Sequence, residues 1–434
     1  MSSPVLLPGV TGPNGSGQQT TLGVMGGGQL GRMFVQAAQA MGYFTAVLDP
    51  DVISPAGLVS HYHIKTDYMD EQGLVQLMQR CAAVTTEFEN VPAPALRTLG
   101  AVRPTAPGAD AVAVAQDRIK EKAHLARSGV PVAPYAVIET RAQLDGVPDT
   151  LLPGILKTAR LGYDGKGQVR CRNRAELAVA WDAFKGVPCV LEQMLPLAAE
   201  CSVIVARGWD GACVNYWPQR NLHRDGILAV TEAYEGNMPL ALAEQAVEAT
   251  KKIADELNYV GVLCVEFFVL PEGSPEAIAL GGLVVNEMAP RPHNSGHYTL
   301  DACDVSQFEL QVRTLAGLPL TQPRQHSAAV MLNLLGDLWS NNLSGHAESD
   351  PVAMNANATP LQSGAHGLAA EPAMTGTPPW AQVLALPGVH LHLYGKLKAS
   401  KGRKMGHLTV TAATPAQARV TALAAANMLG IAPF

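Results

Sequence analysis

The chain has 434 residues, 47% apolar and 16% charged, enough for roughly two to four domains with a sizeable core, and global disorder is excluded. A formal net charge of -6 argues against a general nucleic-acid binder, which would be basic. Seven scattered cysteines without a C-x-x-C pair predict reduced thiols in a cytosolic protein, and with no apolar run as long as 18 residues no membrane span is expected.

Residues 1–20 are rich in Pro, Gly, Ser, Thr and Gln and read as a floppy tail, not a signal peptide. The apolar strand Thr21–Met25 then runs into Gly26-Gly27-Gly28-Gln29-Leu30-Gly31 and a helical pattern through Ala38. A second strand, Thr45 to Leu48, ends at Asp49. Strand, glycine turn, helix and a strand ending in an acid make the G-x-G-x-x-G pattern of a Rossmann-like domain. Two ligands fit it: a nicotinamide dinucleotide, or another phosphate held by the free amides of the helix N-terminus. Cys81 to Val91 reads as a strand ending in Glu87, Glu89 and Asn90. Ligands of open α/β sheets bind beyond such strand ends, so Glu87 or Asn90 would meet a substrate hydroxyl or amine, or both are solvated. Asp110 to Ser128 is helical by pattern, and the first domain boundary is expected within it.

Ile155 to Gln168 is a short apolar run reaching Lys157, followed by glycines 162, 165 and 167. Glycine lets backbone N–H groups approach a ligand, and a lysine at the rim adds charge, so a flap over ATP phosphates is one reading. A plain glycine-rich hairpin is the other. Glu176 to Lys185 predicts a helix, and Cys189 to Gln193 a strand stopped at Met194-Leu195-Pro196, where unpaired backbone groups could serve an adenine ring. Glu200 opens a further strand, and Ala241 to Leu257 is an amphipathic helix.

Two apolar strands each carry an acid, Glu266 within 261–270 and Glu287 within 283–290. Paired as a hairpin they would bring like charges together, which requires a cation or protons between them. Magnesium fits, because it takes one or two carboxylates plus nucleotide phosphates; an acid at an exposed edge is the alternative. Arg291-Pro292-His293-Asn294-Ser295-Gly296-His297 follows as an anion-handling loop. Gln307 to Leu315 is a helix, Ser327 to Leu335 a strand, and 341–379 a mobile insertion. Val389 to Tyr394 alternates as a strand with His390 and His392 on one face; zinc there needs further ligands. Lys396, Lys398, Lys401, Arg403 and Lys404 form either a solvated hairpin or a phosphate grip.

The ordered strings GGGQLGRM (26–33), TEFENV (86–91), GYDGKGQ (162–168), LEQ (191–193), NLHRDGI (221–227), VEFF (265–268), NEMAPRPHNSGH (286–297), SQFELQVR (306–313) and GRKMGHL (402–408) span nearly the whole chain. Together they resemble the ATP-grasp superfamily and, within it, the 5-(carboxyamino)imidazole ribonucleotide synthases. The resemblance implies a mixed α/β and α+β fold: tail 1–20, Rossmann-like domain 21–116, ATP-grasp domain 117–326 with a glycine-rich flap, and a small β-rich C-terminal domain 327–434 carrying the insertion. It implies ATP-dependent carboxylation of aminoimidazole ribonucleotide by bicarbonate through carboxyphosphate, with magnesium or manganese, in a cytoplasmic homodimer that binds neither nucleic acid nor membrane.

By the same resemblance Arg118 and Lys157 would bind ATP phosphates under a flap of Gly162, Tyr163, Asp164, Gly165, Lys166, Gly167 and Gln168. Tyr163 and Asp164 would also face the ribonucleotide. Glu192, Gln193, Met194 and Leu195 would hold adenine, Glu200 the ribose, and His223 would flank the nucleotide. Glu266 and Glu287 would hold the metal, with Asn286 beside the nucleotide. Arg291, His293, Asn294 and Lys396 would serve the carboxyphosphate step. Gln29, Leu30, Arg403 and Lys404 would grip the ribonucleotide phosphate, and Glu87 and Asn90 its ribose or base. Two rivals stay open: an ATP-grasp ligase with another acceptor, and a nicotinamide-dependent oxidoreductase built on 21–116.

Overall fold

The computed structural model describes residues 5–10, 19–160, 162, 167–341 and 376–434. Most of the expected tail and the core of the expected insertion therefore lie outside the described residues. So do Tyr163, Asp164, Gly165 and Lys166 of the expected flap.

The first sheet is parallel, in the order β3-β2-β1-β4, from β1 (Thr21–Met25), β2 (Phe44–Leu48), β3 (Tyr62–Ile64) and β4 (Ala83–Thr86). All five residues of β1 are buried, as a central parallel strand covered on both faces must be. The helix Gln29–Ala40 lays Phe34, Val35 and Ala38 against it, and Val312 and Leu315 of the helix Gln307–Ala316 join the same core. The pattern expected to run as one helix over 110–128 is two, Ala109–Ala115 and Arg118–Arg127. Asp117 breaks it: its carboxylate accepts the N–H of Ile119 and caps the second helix.

A second, antiparallel sheet follows in the order β5-β8-β6-β7, from β5 (Tyr135–Ile138), β6 (Gly154–Thr158), β7 (Gln168–Cys171) and β8 (Cys189–Gln193). β6 and β7 pair antiparallel on either side of the glycine segment, and the Thr158 N–H donates to the Gly167 carbonyl.

The remaining strands are β9 (Ala199–Arg207), β10 (Cys213–Asn215), β11 (Gln219–Arg224), β12 (Ile227–Ala233), β13 (Gly261–Val269), β14 (Leu283–Ala289), β15 (Ala328–Leu335), β16 (Val389–Leu393) and β17 (Lys404–Ala412). They form one sheet, β14-β13-β9-β11-β12-β15-β17-β16, with β10 added on β9. The C-terminal strands extend the central sheet through the β12–β15 pair. The helix Leu240–Glu256 covers β9 and β13 with Ala246, Ala249 and Ile253, and Pro415–Leu429 covers β15 and β17 with Ala418, Ala422 and Ala425. Among the described residues no helix is long and apolar enough to cross a membrane.

Candidate active site

Strand ends from all three sheets surround one cavity of about 950 Å³. The hairpin β13–β14 sets its floor. Glu266 and Glu287 are register partners, and a bulge immediately beyond them leaves Asn286 without a cross-strand partner, so that Asn286 and Glu287, adjacent in sequence, both line the cavity. The expected repulsion between the acids is relieved by side chains from elsewhere. Arg118 Nη1 lies 3.2 Å from Glu287 Oε2, and His293 Nε2 lies 3.1 Å from Glu266 Oε1. Burial, and then the Glu287 charge, still push the Glu266 carboxyl up to about 7. Asn286 Oδ1 is buried with no hydrogen-bond partner. Two carboxylates and an unpartnered amide oxygen make a hard, all-oxygen donor set, which fits magnesium or manganese.

The wall beside these acids is a buried ion cluster. Lys157, at the end of β6, and Lys122, on the helix Arg118–Arg127, reach the same oxygen, Glu192 Oε2, at 3.1 and 3.4 Å. Burial alone would raise the Glu192 carboxyl; Lys157 and Lys122 outweigh it and hold the group down at about 2. Lys122 also donates to the Asn286 carbonyl at 3.0 Å, and Glu121 accepts the Met288 N–H at 2.7 Å. Glu192 Oε1 has no partner, an acceptor facing nothing in the protein. Nearby backbone is less free than the stop at Pro196 suggested: the N–H groups of Gln193 and Met194 go to the carbonyls of Pro134 and Pro153. Glu192, Gln193, Met194, Leu195 and Gly167 are not on the cavity lining. Across the cavity Glu200 on β9 is hydrogen-bonded to His223 Nδ1 on β11.

The loop after β14 supplies the next groups. Arg291 Nε is paired with Glu89 Oε2, and His293 Nδ1 meets Ser295 Oγ at 2.9 Å. Ser295 is anchored in turn by Ser202 Oγ at 2.8 Å. Asn294 is buried, lines the cavity, and has no partner for either side-chain atom.

At the far end stands the first glycine turn. Gly26 has φ +104°, and a Cβ on Gly31 would stand 2.7 Å from the Gly26 carbonyl oxygen, so both positions need glycine. Glu87 turns its carboxylate inward, where Oε1 accepts the Gly28 N–H and Oε2 the Gly31 N–H. Glu87 thus caps the turn, and it also lines the cavity. Gln29 and Leu30 lie between the two capped positions and face the cavity, as does Asn90. Asp49 accepts the N–H groups of Gly27 and Asp51 and the hydroxyl of Tyr68, so the acid that a nicotinamide ribose would need is already engaged.

Of the C-terminal basic cluster only Lys404 lines the cavity. Lys396 Nζ donates to the Lys404 carbonyl at 2.7 Å, and exposed Arg403 donates to the Lys398 carbonyl at 2.7 Å. Both side chains are tied to carbonyls of their own hairpin. Arg118, Lys157, Gly162, Gln168, Glu200, His223, Glu266, Asn286, Glu287, Arg291, His293 and Asn294 are brought to the one cavity. Glu89, Glu121, Lys122 and His297 went unassigned in the sequence. The signal for two of them was available: Arg118, Glu121 and Lys122 share one helix face at spacings of three and four.

A ribonucleotide synthetase preATP-grasp domain matches residues 19–116, an ATP-grasp domain 123–308, and a phosphoribosylaminoimidazole carboxylase C-terminal domain 329–421. The N5-carboxyaminoimidazole ribonucleotide synthase of Brucella melitensis is 38% identical over 90% of this chain and 96% of its own length. That of Pseudomonas aeruginosa is 37% identical over 92% and 97%. The crystal structure of an N5-carboxyaminoimidazole ribonucleotide synthetase with ADP superposes with a TM-score of 0.81 at 33% identity, covering 99% of both chains. The Aspergillus clavatus enzyme with ADP and 5-aminoimidazole ribonucleotide gives 0.77 at 28% identity, covering 95% of this chain and 98% of that one.

Proposed function

The chain belongs to the N5-carboxyaminoimidazole ribonucleotide synthase family, and from that premise we propose that it uses ATP and bicarbonate to carboxylate 5-aminoimidazole ribonucleotide on its exocyclic nitrogen, in purine biosynthesis. The observation that carries the reading is the set of buried polar atoms without protein partners. Asn286 Oδ1 and both ends of Asn294 are orphaned on the lining of the cavity, with Glu192 Oε1 orphaned in the ion cluster behind it, and a buried polar atom left open calls for an ion, water or ligand to meet it.

In this reading Glu192 Oε1 accepts the adenine amine, while Lys157 and Arg118 turn toward the phosphates. Glu200, already paired with His223, takes the ribose. Glu266 and Glu287, with Asn286 beside them, hold magnesium or manganese. Bound there, such an ion would supply positive charge to offset that developing on the phosphate oxygens. A bicarbonate oxygen attacks the γ-phosphorus, the bond to the bridging oxygen breaks, and ADP leaves, giving carboxyphosphate. Arg291, His293 and Asn294 face this species, Arg291 by exchanging its pairing with Glu89 for the new anion. Carboxyphosphate releases carbon dioxide and phosphate; the ribonucleotide amine adds to the carbon and loses a proton. Holding these partners together dry and aligned supplies most of what phosphoryl transfer asks of a protein.

The ribonucleotide phosphate sits on the Gln29 and Leu30 amides, with Lys404 as its cation. A monoester carries close to two charges and a helix N-terminus offers about half of one, so a cation from another segment is required. Gly162 and Gln168 mark the two ends of the flap, whose Tyr163 and Asp164 we assign to the ribonucleotide and whose Gly165 and Lys166 to ATP. We further read 21–116, 117–326 and 327–434 as the three domains of a cytoplasmic homodimer. ADP release tests the function: it should need aminoimidazole ribonucleotide and bicarbonate together and fall to background with either omitted. Equal release with another acceptor would transfer the chain to a different ATP-grasp activity.

A further inference from the structure

A row of buried polar side chains crosses the central sheet behind the cavity. Ser202 on β9 is the register partner of Glu266 on β13 and of Gln219 on β11. Asn221 on β11 is the partner of Thr231 on β12. Ser202, Asn221, Thr231 and Ser295 are all buried, and none of the four lines the cavity. The row nevertheless ends on two residues that do, His293 and Glu266.

The direction of the hydrogens along this row follows from one backbone group. The Ser295 N–H lies 3.3 Å from His293 Nδ1, and a backbone N–H can only donate. Nδ1 therefore carries no hydrogen. Ser295 Oγ, 2.9 Å from the same nitrogen, must point its single hydrogen at it. Ser202 Oγ, at 2.8 Å, is then the donor to Ser295, so its own hydrogen is used. Asn221 reaches Ser202 Oγ at 2.8 Å and has to do so through Nδ2. Its Oδ1 is left facing Thr231 Oγ1, which donates at 3.0 Å. Gln219 Oε1, 3.2 Å from Ser202 Oγ, is the more distant competitor for the Ser202 hydrogen. At the other end, a neutral imidazole with Nδ1 bare carries its hydrogen on Nε2, 3.1 Å from Glu266 Oε1.

We propose that Ser202 and Asn221 are positioning residues of the active site: through Ser295 they hold His293 in the Nε2–H tautomer, as a fixed hydrogen-bond donor to Glu266. Both ring nitrogens are then engaged. His293 keeps no lone pair with which to take a proton from bicarbonate or from the ribonucleotide amine. Its part in the reaction is to orient one oxygen of Glu266. A chain of this kind fixes the angle of the ring as well as its tautomer, because each member has one arrangement that satisfies both neighbours. The reaction it serves rests on the function proposed above; the tautomer does not.

The test uses the full chain without ligands, labelled with nitrogen-15 in its 12 histidines. Long-range proton–nitrogen spectra assign the His293 ring by its absence from His293→Gln. The expected pattern is Nε2–H with a bare Nδ1, unchanged between about pH 8 and pH 6. Ser202→Ala should disturb that pattern and lower kcat by roughly three- to tenfold, with the Michaelis constant for ATP nearly unchanged. Ser202→Thr, which keeps the hydroxyl, should restore both, and Asn221→Ala should shift both in the direction of Ser202→Ala. Melting curves show which variants are folded; where Ser202→Ala is not, Ser295→Ala with Ser295→Thr carries the same comparison. An Nδ1–H or doubly protonated ring in wild type, a Ser202→Ala enzyme indistinguishable from wild type, or Ser202→Thr as impaired as Ser202→Ala would each overturn the proposal. If ADP release needs another acceptor, the ring spectra still decide the tautomer, and kcat is compared with that acceptor.

Discussion

At the end of the cavity under β6, β8 and β14, the charged groups in and behind the wall are side chains already paired with one another: Lys157 and Lys122 with Glu192, Arg118 with Glu287, His293 with Glu266. At the end under the helix Gln29–Ala40 they are residues of a glycine turn, held by Glu87 and Asp49, with Lys404 arriving from the other end of the chain. The two ends balance their charge differently. Buried charges are costly alone, so the first end neutralises itself with internal pairs, which in the proposed function would reopen for ATP. Backbone amides carry only partial charge and can wait without a counter-ion. The first end should therefore be sensitive to single side chains, and the second to the shape of a turn.

The comparison breaks most sharply at the acids. Glu287→Gln should keep the fold, since its partner Arg118 reaches solvent and stands beside other carboxylates, yet lower turnover by at least about a hundredfold. Steady-state kinetics at saturating magnesium check this, and near-normal turnover would remove Glu287 from the metal. Next comes Lys157→Ala. Lys122 remains beside Glu192, so the variant should fold, with ATP binding weakened by about 1.5–3 kcal/mol, roughly ten- to hundredfold. Calorimetric ATP titration reads it directly. Proteolysis of residues 162–168 with and without ATP supplies a companion measurement, protection by nucleotide being the expected result.

The substrate end should respond less and more selectively. Lys404→Ala should raise the apparent Michaelis constant for aminoimidazole ribonucleotide by roughly tenfold and leave that for ATP nearly unchanged. Arg403→Ala, whose guanidinium serves the Lys398 carbonyl, should change both less than about twofold. An Arg403 effect equal to that of Lys404 would return Arg403 to the phosphate.

The smallest effect is on stability beneath the nucleotide end. His124 is buried on the Arg118–Arg127 helix with Nε2 3.2 Å from the Ile253 carbonyl, and burial lowers its pKa. The unfolded chain protonates near pH 6.5 and the folded one later, so this contribution is complete above about 6.5 and is lost as pH falls. Urea unfolding at about pH 7 and pH 5.5 should show that loss, by no more than about 1.4 kcal/mol per pH unit, and His124→Gln should flatten it. An unchanged slope in the variant would place the acid sensitivity elsewhere.

Much of this was written in one dimension. Apolar runs placed β1, β2, β8, β13 and β14 within a residue or two, because a buried strand needs a run of mostly apolar residues. The hairpin spacing of Glu266 and Glu287, and the polar loop Arg291 to His297 directly after it, are local facts, and the cavity contains them. What a side chain points at is not local. Lys396, Arg403 and Lys404 look alike in sequence, yet only Lys404 faces the cavity, because the hairpin's own carbonyls capture the other two. Lys122 and Glu121 resemble any solvated helical pair until β8 and β14 pack over them and bury their charges. Glu87 became a cap when the Gly28 and Gly31 amides lay within its reach, and His392 acquired Asp301 and His407 when three distant segments met. Sequence determined the elements, the family and the chemical inventory, because each is fixed by neighbours along the chain. Tertiary structure alone decided which charge met which, because electrostatic pairing depends on separation in space, and in a buried site each group binds whatever partner the packing brings first.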